Sequence, residues 1–256
     1  MGTFHMARAM TTQNKPQLIY IIPNLFTAAS AFVGIISVLA SVKGDFEKAA
    51  IFILVSLVFD GLDGRVARLT KTTSKFGAEF DSLADIVAFG VAPAMLFYYS
   101  VGIHYGKVGS LLTAMFVVFG AIRLARFNVM IGVSEPSVFI GVPIPTAAVV
   151  MAMWIMIHQK YMFFRDFDFL IIFGMVVLSF LMVSNIRYPS FKKIDLQKQN
   201  FLKVLIYLIM VFSVVYIFPI ESIAVIVTVY LFYGLFRAIY NYTIVKYRKN
   251  KYNVKK

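Results

Sequence analysis

Eight stretches of about twenty mostly apolar residues recur along the 256-residue chain, at roughly 18–42, 46–69, 78–101, 107–130, 141–160, 168–186, 201–219 and 222–245. Twenty such residues in a helix cross the hydrocarbon core of a bilayer. With no water to satisfy backbone groups there, the spans must be helices or a closed barrel, and runs this continuous read as helices. The expected fold class is therefore an all-α polytopic membrane protein with about eight transmembrane helices. A soluble domain cannot hide a sequence that is 60% apolar at this length. The chain has no cysteine, which excludes disulfides, thiolate metal sites and a cysteine nucleophile. No cleavable signal peptide is evident in the first apolar run.

Charge gives the orientation. Eight spans place both termini on one side, together with the second, fourth and sixth connections. That side carries twenty of the 25 Lys and Arg residues, and the other side carries five. The bias predicts cytoplasmic termini in a multi-pass cell-membrane protein. It also explains the basic tail 246–256, which has a second reading as a contact for anionic lipid headgroups. A nucleic-acid partner is not expected of so short a tail. The chain divides into an N-terminal segment 1–17 (Met1–His5, ahead of Met6, being set aside), a core 18–186, a polar connector 187–200, two further spans in 201–245, and the tail.

The chain's twelve acids are more informative. Asp45, Glu47, Glu135, Asp166, Asp168, Asp195 and Glu221 fall in or beside connections and read as solvated. Asp60, Asp63, Glu79, Asp81 and Asp85 instead flank one short turn, at the ends of the second and third spans. Carboxylates in spans are costly and mark a function or a partner. Asp60 and Asp63 are three residues apart, and Asp81 and Asp85 four, so each pair shares a helix face. The short connection 70–76 predicts antiparallel neighbouring helices, with the two pairs facing each other. Glu79, two residues from Asp81, points off that face and suits a helix end. Four facing carboxylates need neutralising. Oxygen-only ligands suit Mg²⁺ or Mn²⁺, with Ca²⁺ possible, and four carboxylates can bridge two divalent ions, a recurrent device for phosphoryl transfer. A purely structural ion-pair network would leave excess negative charge beside a single Arg.

The surroundings suit a phosphate. Gly61, Gly64 and Ala67 keep the helix face small, and Arg68 lies on the face of Asp60 and Gly64, able to pair with a phosphate. Ser74 supplies a hydroxyl in the turn, and Gly77 permits close approach at the start of the next helix.

The pattern Asp60-Gly-Leu-Asp63-Gly64-Arg-Val-Ala67-Arg68, eight residues, Gly77, three residues, Asp81, three residues, Asp85 resembles the signature of the CDP-alcohol phosphatidyltransferase family, at eight positions over 26 residues. The resemblance implies a six-helix core, here with two C-terminal helices added, and a homodimer. It implies that Asp60, Asp63 and Asp81 hold one metal, that Asp60, Asp81 and Asp85 hold a second, and that Asp85 is the general base. It further implies that Gly64, Arg68 and Ser74, with Ala67 and Gly77, contact the CDP-diacylglycerol donor. Pro23-Asn24-Leu-Phe-Thr27 resembles the family's nucleotide-side segment and adds Asn24 and Thr27.

The acceptor is read from the fourth span, which ends Gly120-Ala-Ile-Arg123-Leu-Ala-Arg126-Phe-Asn128. Two guanidinium groups in an apolar helix need anions, such as a substrate carboxylate or the donor phosphate, or else snorkel to the surface. Asn128 can bond an amine or carboxylate. This segment and Phe139-Ile-Gly-Val-Pro143-Ile-Pro145 resemble the branch of the family that uses L-serine as acceptor, making phosphatidylserine and CMP; Val142 stands where Leu is expected. Arg123, Arg126 and Asn128 are then the expected acceptor site. Glycerol 3-phosphate, inositol phosphate or choline is an alternative acceptor. A divalent-cation transporter and a non-catalytic lipid-binding scaffold are alternatives of other classes. His104 and His158 read as isolated, on the side away from the acids. Trp154 and the span-end tyrosines read as interfacial. Pro143 and Pro145 read as shaping the start of the fifth span.

Overall fold

In the computed structural model, residues 18–130, 138–189 and 201–253 are described. Every expected apolar stretch is helical. Helices α1 (Leu18–Val42), α2 (Phe46–Leu69), α3 (Lys75–Asp85), α4 (Ala92–Ser100), α5 (Gly106–Met130), α6 (Ile144–Lys160), α8 (Asp168–Val183), α9 (Phe201–Ile217) and α10 (Pro219–Asn253) carry the passages, and α7 (Met162–Arg165) is a short turn between α6 and α8. The third passage comprises α3 and α4, joined through a π-helical segment, Ile86–Val91. Among the described residues, four passages are long and apolar enough to cross a membrane by length and composition alone: Ile21–Val42, Lys75–Ser100, Gly102–Met130 and Pro219–Ala238.

Three boundaries differ from expectation. The third passage begins at Lys75 rather than 78, because Ser74 caps α3: its Oγ accepts from the Gly77 N–H at 3.0 Å. Helix α10 continues through the basic stretch to Asn253, so most of the expected tail is helical. The start of the expected connector, Arg187–Pro189, is a strand (β2) paired antiparallel with Val138–Ile140 (β1). This strand pair is the departure from an all-α chain among the described residues. Glu135, Lys192, Lys193, Asp195 and Lys198 lie outside the described residues, as does segment 1–17.

Helix α6 is the axis of the core, with Ile144, Ala147, Ala148, Val150, Met151, Ala152 and Ile155 fully buried. Pro143 and Pro145 stand at its N-terminus, as expected. Helices α2, α4, α8 and α10 pack around it, while α9 packs on α10. Outward-facing Phe32, Val58, Leu111, Phe173 and Phe212 are exposed, as lipid-facing residues are. Small and hydroxyl residues bring the helices close. Ser30 Oγ donates to the Ser56 carbonyl at 3.1 Å and Ser56 Oγ returns a 3.0 Å bond to the Ser30 carbonyl, locking α1 to α2. A Cβ at Gly34 would stand 2.7 Å from Ala88 Cα, so α1 lies directly on the π segment.

Helices α2 and α3 bring their acid pairs face to face, as expected, and α1 packs against both and forms the floor between them. The carboxylates line the cleft this leaves. One expectation is corrected: Trp154 is not interfacial, since its Nε1 donates to Thr228 Oγ1 of α10 at 2.9 Å and its ring lies over Gly174 of α8.

Candidate active site

The cleft opens at the end of the bundle where α2 stops and α3 starts. Asp60 meets Asp85, and Asp63 meets Asp81, each pair within side-chain hydrogen-bonding reach across the cleft. The pairing 60 with 85 and 63 with 81 is that of two antiparallel helices. Asp60, Asp63 and Asp81 each bring one carboxylate oxygen within 4.8 Å of the others, an arrangement able to hold a metal ion. Asp85 is outside that group of three and meets Asp60; the donors are carboxylate oxygens, so the set suits a hard divalent cation. Glu79 is exposed and apart from them.

Helix α1 orders the site from below. Thr27 Oγ1 donates to Asp63 Oδ2 at 2.6 Å, and the Pro23 carbonyl also lies 3.2 Å from that hydroxyl. Helix α3 ends at Asp85, and the π segment begins with the next residue. Such turns widen a helix locally and concentrate at functional sites. No motif of the sequence marks this one.

Beside the acids lies a cavity of about 260 Å³ lined by Asn24, Thr27, Asp63, Gly64, Ala67, Arg68, Ser74, Gly77 and Asp81, among others. Every residue expected to contact the donor lies on it. The Arg68 guanidinium lies over Gly64, where a Cβ would stand 3.5 Å from it, and it is close enough to Asp63 for their charges to interact. At Gly77 a Cβ would meet Ser74 Oγ at 3.1 Å and Asn24 Oδ1 at 3.3 Å, so the glycine lets α1 and the start of α3 approach. Gly61 faces open space.

The three residues at the end of α5 part company. Arg123 is buried, faces Asp85 closely enough for their charges to interact, and stacks 5.3 Å over the Phe127 ring. Among the described residues it makes no hydrogen bond. Arg126 points elsewhere. Its Nη1 donates to the Val183 carbonyl at 2.9 Å and lies 3.4 Å from Asn185 Oδ1; its Nη2 donates to the carbonyls of Ile140, Met182 and Ser184, each at 3.1 Å. It thus satisfies carbonyls at the end of α8 and ties them to β1. Asn128 Nδ2 donates to Ser82 Oγ of α3 at 2.9 Å. The structure brings Arg123 to the acids and leaves Arg126 and Asn128 bonded to protein.

The cleft opens at one end of the bundle, with an arginine on its wall. Residues 20–183 match the family described as CDP-alcohol phosphatidyltransferase.

The chain belongs to the CDP-alcohol phosphatidyltransferase family.

Within this family, it is 48% identical over 234 residues to a Helicobacter pylori protein named CDP-diacylglycerol–serine O-phosphatidyltransferase, a match covering 91% of this chain and 97% of that one. An archaetidylserine synthase of Methanothermobacter thermautotrophicus is 37% identical over 170 residues, 66% of this chain and 69% of its own. A Bacillus subtilis protein with the first name is 35% identical over 173 residues, 67% of this chain but 92% of its own. Two thirds of this chain thus spans nearly all of that shorter relative.

Proposed function

We propose that the chain transfers the phosphatidyl group of CDP-diacylglycerol to the hydroxyl of L-serine, giving phosphatidylserine and CMP. The observation that carries this reading is the cleft itself: four carboxylates beside a cavity edged by Arg68, with Arg123 buried at the far carboxylate, Asp85. The name of the Helicobacter pylori relative supports serine as the acceptor.

Asp60, Asp63, Asp81 and Asp85 would hold two Mg²⁺ or Mn²⁺ ions, with Ca²⁺ sharing the preference for oxygen. When bound, divalent ions neutralise the donor diphosphate and the charge developing on departing CMP. Asn24, Thr27, Gly64, Ala67, Arg68, Ser74 and Gly77 form the donor's seat, with the acyl chains remaining in lipid. Arg68 supplies planar donors to a phosphate, and Thr27 fixes the Asp63 carboxylate. Arg123 binds the serine carboxylate, which sets the serine hydroxyl beside Asp85. Asp85 accepts the hydroxyl proton as the serine oxygen bonds to the phosphorus bearing diacylglycerol, and the bond from that phosphorus to the CMP oxygen breaks. Positioning and electrostatics do most of this chemistry.

Serine is favoured over a phosphorylated acceptor because Arg126 is held by backbone carbonyls, leaving one acceptor-side guanidinium, enough for a carboxylate. The reading includes a homodimer, from the family resemblance, in the cell membrane. The lysine and arginine bias supports cytoplasmic termini and a cytoplasmic active site.

The test is CMP release and labelled phosphatidylserine formation in detergent with a panel of acceptors. Serine alone is expected to be used, in a metal-dependent reaction. Asp85→Asn is expected to lower kcat by about 10²–10⁴-fold, as removal of a general base does. Near-normal turnover in that variant overturns the base assignment, and turnover with glycerol 3-phosphate overturns the acceptor.

A further inference from the structure

Asn128, expected among the acceptor ligands from its place in the sequence, is engaged by α3. Its Nδ2 donates to Ser82 Oγ at 2.9 Å. Ser82 Oγ in turn donates to the Ala78 carbonyl, 3.1 Å away and one turn back along α3. The single hydroxyl proton of Ser82 thus goes to Ala78, and a lone pair of the same oxygen receives the Asn128 amide, so the relay from Asn128 through Ser82 to Ala78 has one direction. Neither Asn128 nor Ser82 lines the cavity beside the acids.

Ser82 follows Asp81 directly and stands three residues before Asp85 in the same helix. At 3.6 residues per turn it lies about 100° round from Asp81, so a tie to Ser82 acts beside the carboxylates rather than between them. Helix α3 packs on α1 and runs into the π segment after Asp85. Its carboxylates face Asp60 and Asp63, and like charges that close repel unless a cation lies among them. Helix α3 therefore needs contacts that hold it to the cleft. Two side chains of α5 supply them: Arg123 faces Asp85, and Asn128 bonds Ser82, one turn nearer the start of α3. Numbers rise along α5 as they fall along α3, as antiparallel neighbours require. Arg123 is assigned to the serine carboxylate, which leaves the Asn128 bond as the tie that turnover does not disturb. We propose that Asn128 is a positioning residue: through Ser82 it sets α3 so that Asp81 and Asp85 stand opposite Asp63 and Asp60 to share a cation, and it does not bind the acceptor. This rests on the reading of those carboxylates as metal ligands in the function proposed above.

The test is Mn²⁺ binding to the full-length protein in detergent, followed by the electron paramagnetic resonance signal of free Mn²⁺, beside steady-state CMP release. Asn128→Ala and Ser82→Ala are each expected to raise the Mn²⁺ dissociation constant about fivefold, the size of one hydrogen bond. The double variant is expected to bind no more weakly than either single one, because both remove the same bond. Ser82→Thr keeps the hydroxyl and is expected to bind within about twofold of the unsubstituted protein. The KM for serine is expected to stay within about twofold throughout, since no contact to the acceptor is lost. A general loosening of α5 would not follow the Ser82 hydroxyl in this way. Unchanged Mn²⁺ affinity in Asn128→Ala, or additive losses in the double variant, overturns the positioning role. A raised serine KM at unchanged Mn²⁺ affinity makes Asn128 an acceptor ligand and overturns it too. Mn²⁺ binding that persists in Asp60→Ala overturns the metal reading itself, and the positioning with it; binding lost in Asp60→Ala but indifferent to Asn128 overturns the positioning alone.

Discussion

Thr27 Oγ1 and Asp63 Oδ2 are 2.6 Å apart, a hydrogen bond that fastens α1 to the acid cluster of α2. A hydroxyl that orients a metal-ligating carboxylate acts from behind the ligand, and its loss typically costs 10–100-fold in metal affinity. Thr27→Val is expected to raise the Mg²⁺ or Mn²⁺ concentration for half-maximal activity by about tenfold. Thr27→Ser is expected to restore most of it. A metal titration of CMP release checks this, and an unchanged midpoint in Thr27→Val would separate Thr27 from the metal site.

Arg123 and Arg126, three residues apart on α5, are expected to fail in different ways. Arg123→Ala is expected to raise the KM for serine by one to two orders of magnitude, as loss of a charge-assisted hydrogen bond of about 1.5–3 kcal/mol does. Its melting temperature is expected to stay close to that of the unsubstituted protein. Arg126→Ala leaves carbonyls of α8 and β1 without donors and is expected to cost on the order of 3 kcal/mol of stability. Steady-state kinetics beside thermal unfolding in detergent distinguish the two. A serine-specific KM defect in a fully stable Arg126→Ala would return Arg126 to the acceptor site.

Gly141 sits between β1 and α6 with φ +76, and a Cβ there would run into the Met182 carbonyl and stand 2.8 Å from Arg126 Nη2. Gly141→Ala therefore combines left-handed backbone strain, about 1 kcal/mol or more, with displacement of the Arg126 clasp. The variant is expected to unfold at lower temperature than Gly61→Ala, whose Cβ meets nothing within 4 Å. Paired melting curves test the difference.

Tyr188 of β2 is fully buried, its hydroxyl 3.4 Å from the Leu231 carbonyl, and its ring lies on Gly234 of α10 so closely that a Cβ there would overlap it. Gly234→Leu is expected to lift α10 from the strand pair and lower the melting temperature while leaving kcat within about twofold, as a substitution remote from the chemistry does. A kcat that collapses in a folded Gly234→Leu would make α10 part of the catalytic unit.

Much of this architecture was legible in the chain. Each apolar stretch became a helix because span length and backbone satisfaction in lipid allow little else. The acids could be placed because i,i+3 and i,i+4 spacings fix a shared helix face before any partner is known, and the short turn at 70–74 brings the two faces together. Ser74 was found as a hydroxyl in the turn, but its cap on α3 emerged only with the backbone geometry.

Spacing along one helix was silent about partners from another. Arg123 and Arg126 look equivalent in sequence and share a helix side, yet their long side chains reach different neighbours: one faces Asp85 and the other the end of α8. Asp168, His158 and Trp154 read as a solvated acid, a lone histidine and an interfacial ring, because Asp168 lies ten residues beyond His158 and Thr228 lies on α10. Helix α1 lies against the π segment through Gly34 and against Asp63 through Thr27, contacts between elements that local spacing does not encode. The sequence alone determined the membrane passages, the carboxylate pairs and the family, because local periodicity and a spaced signature encode them. The tertiary structure decided which arginine faces the acids, how the cleft stays open and which acid, Asp168, lies beside His158, because those depend on contacts between helices that local spacing does not encode.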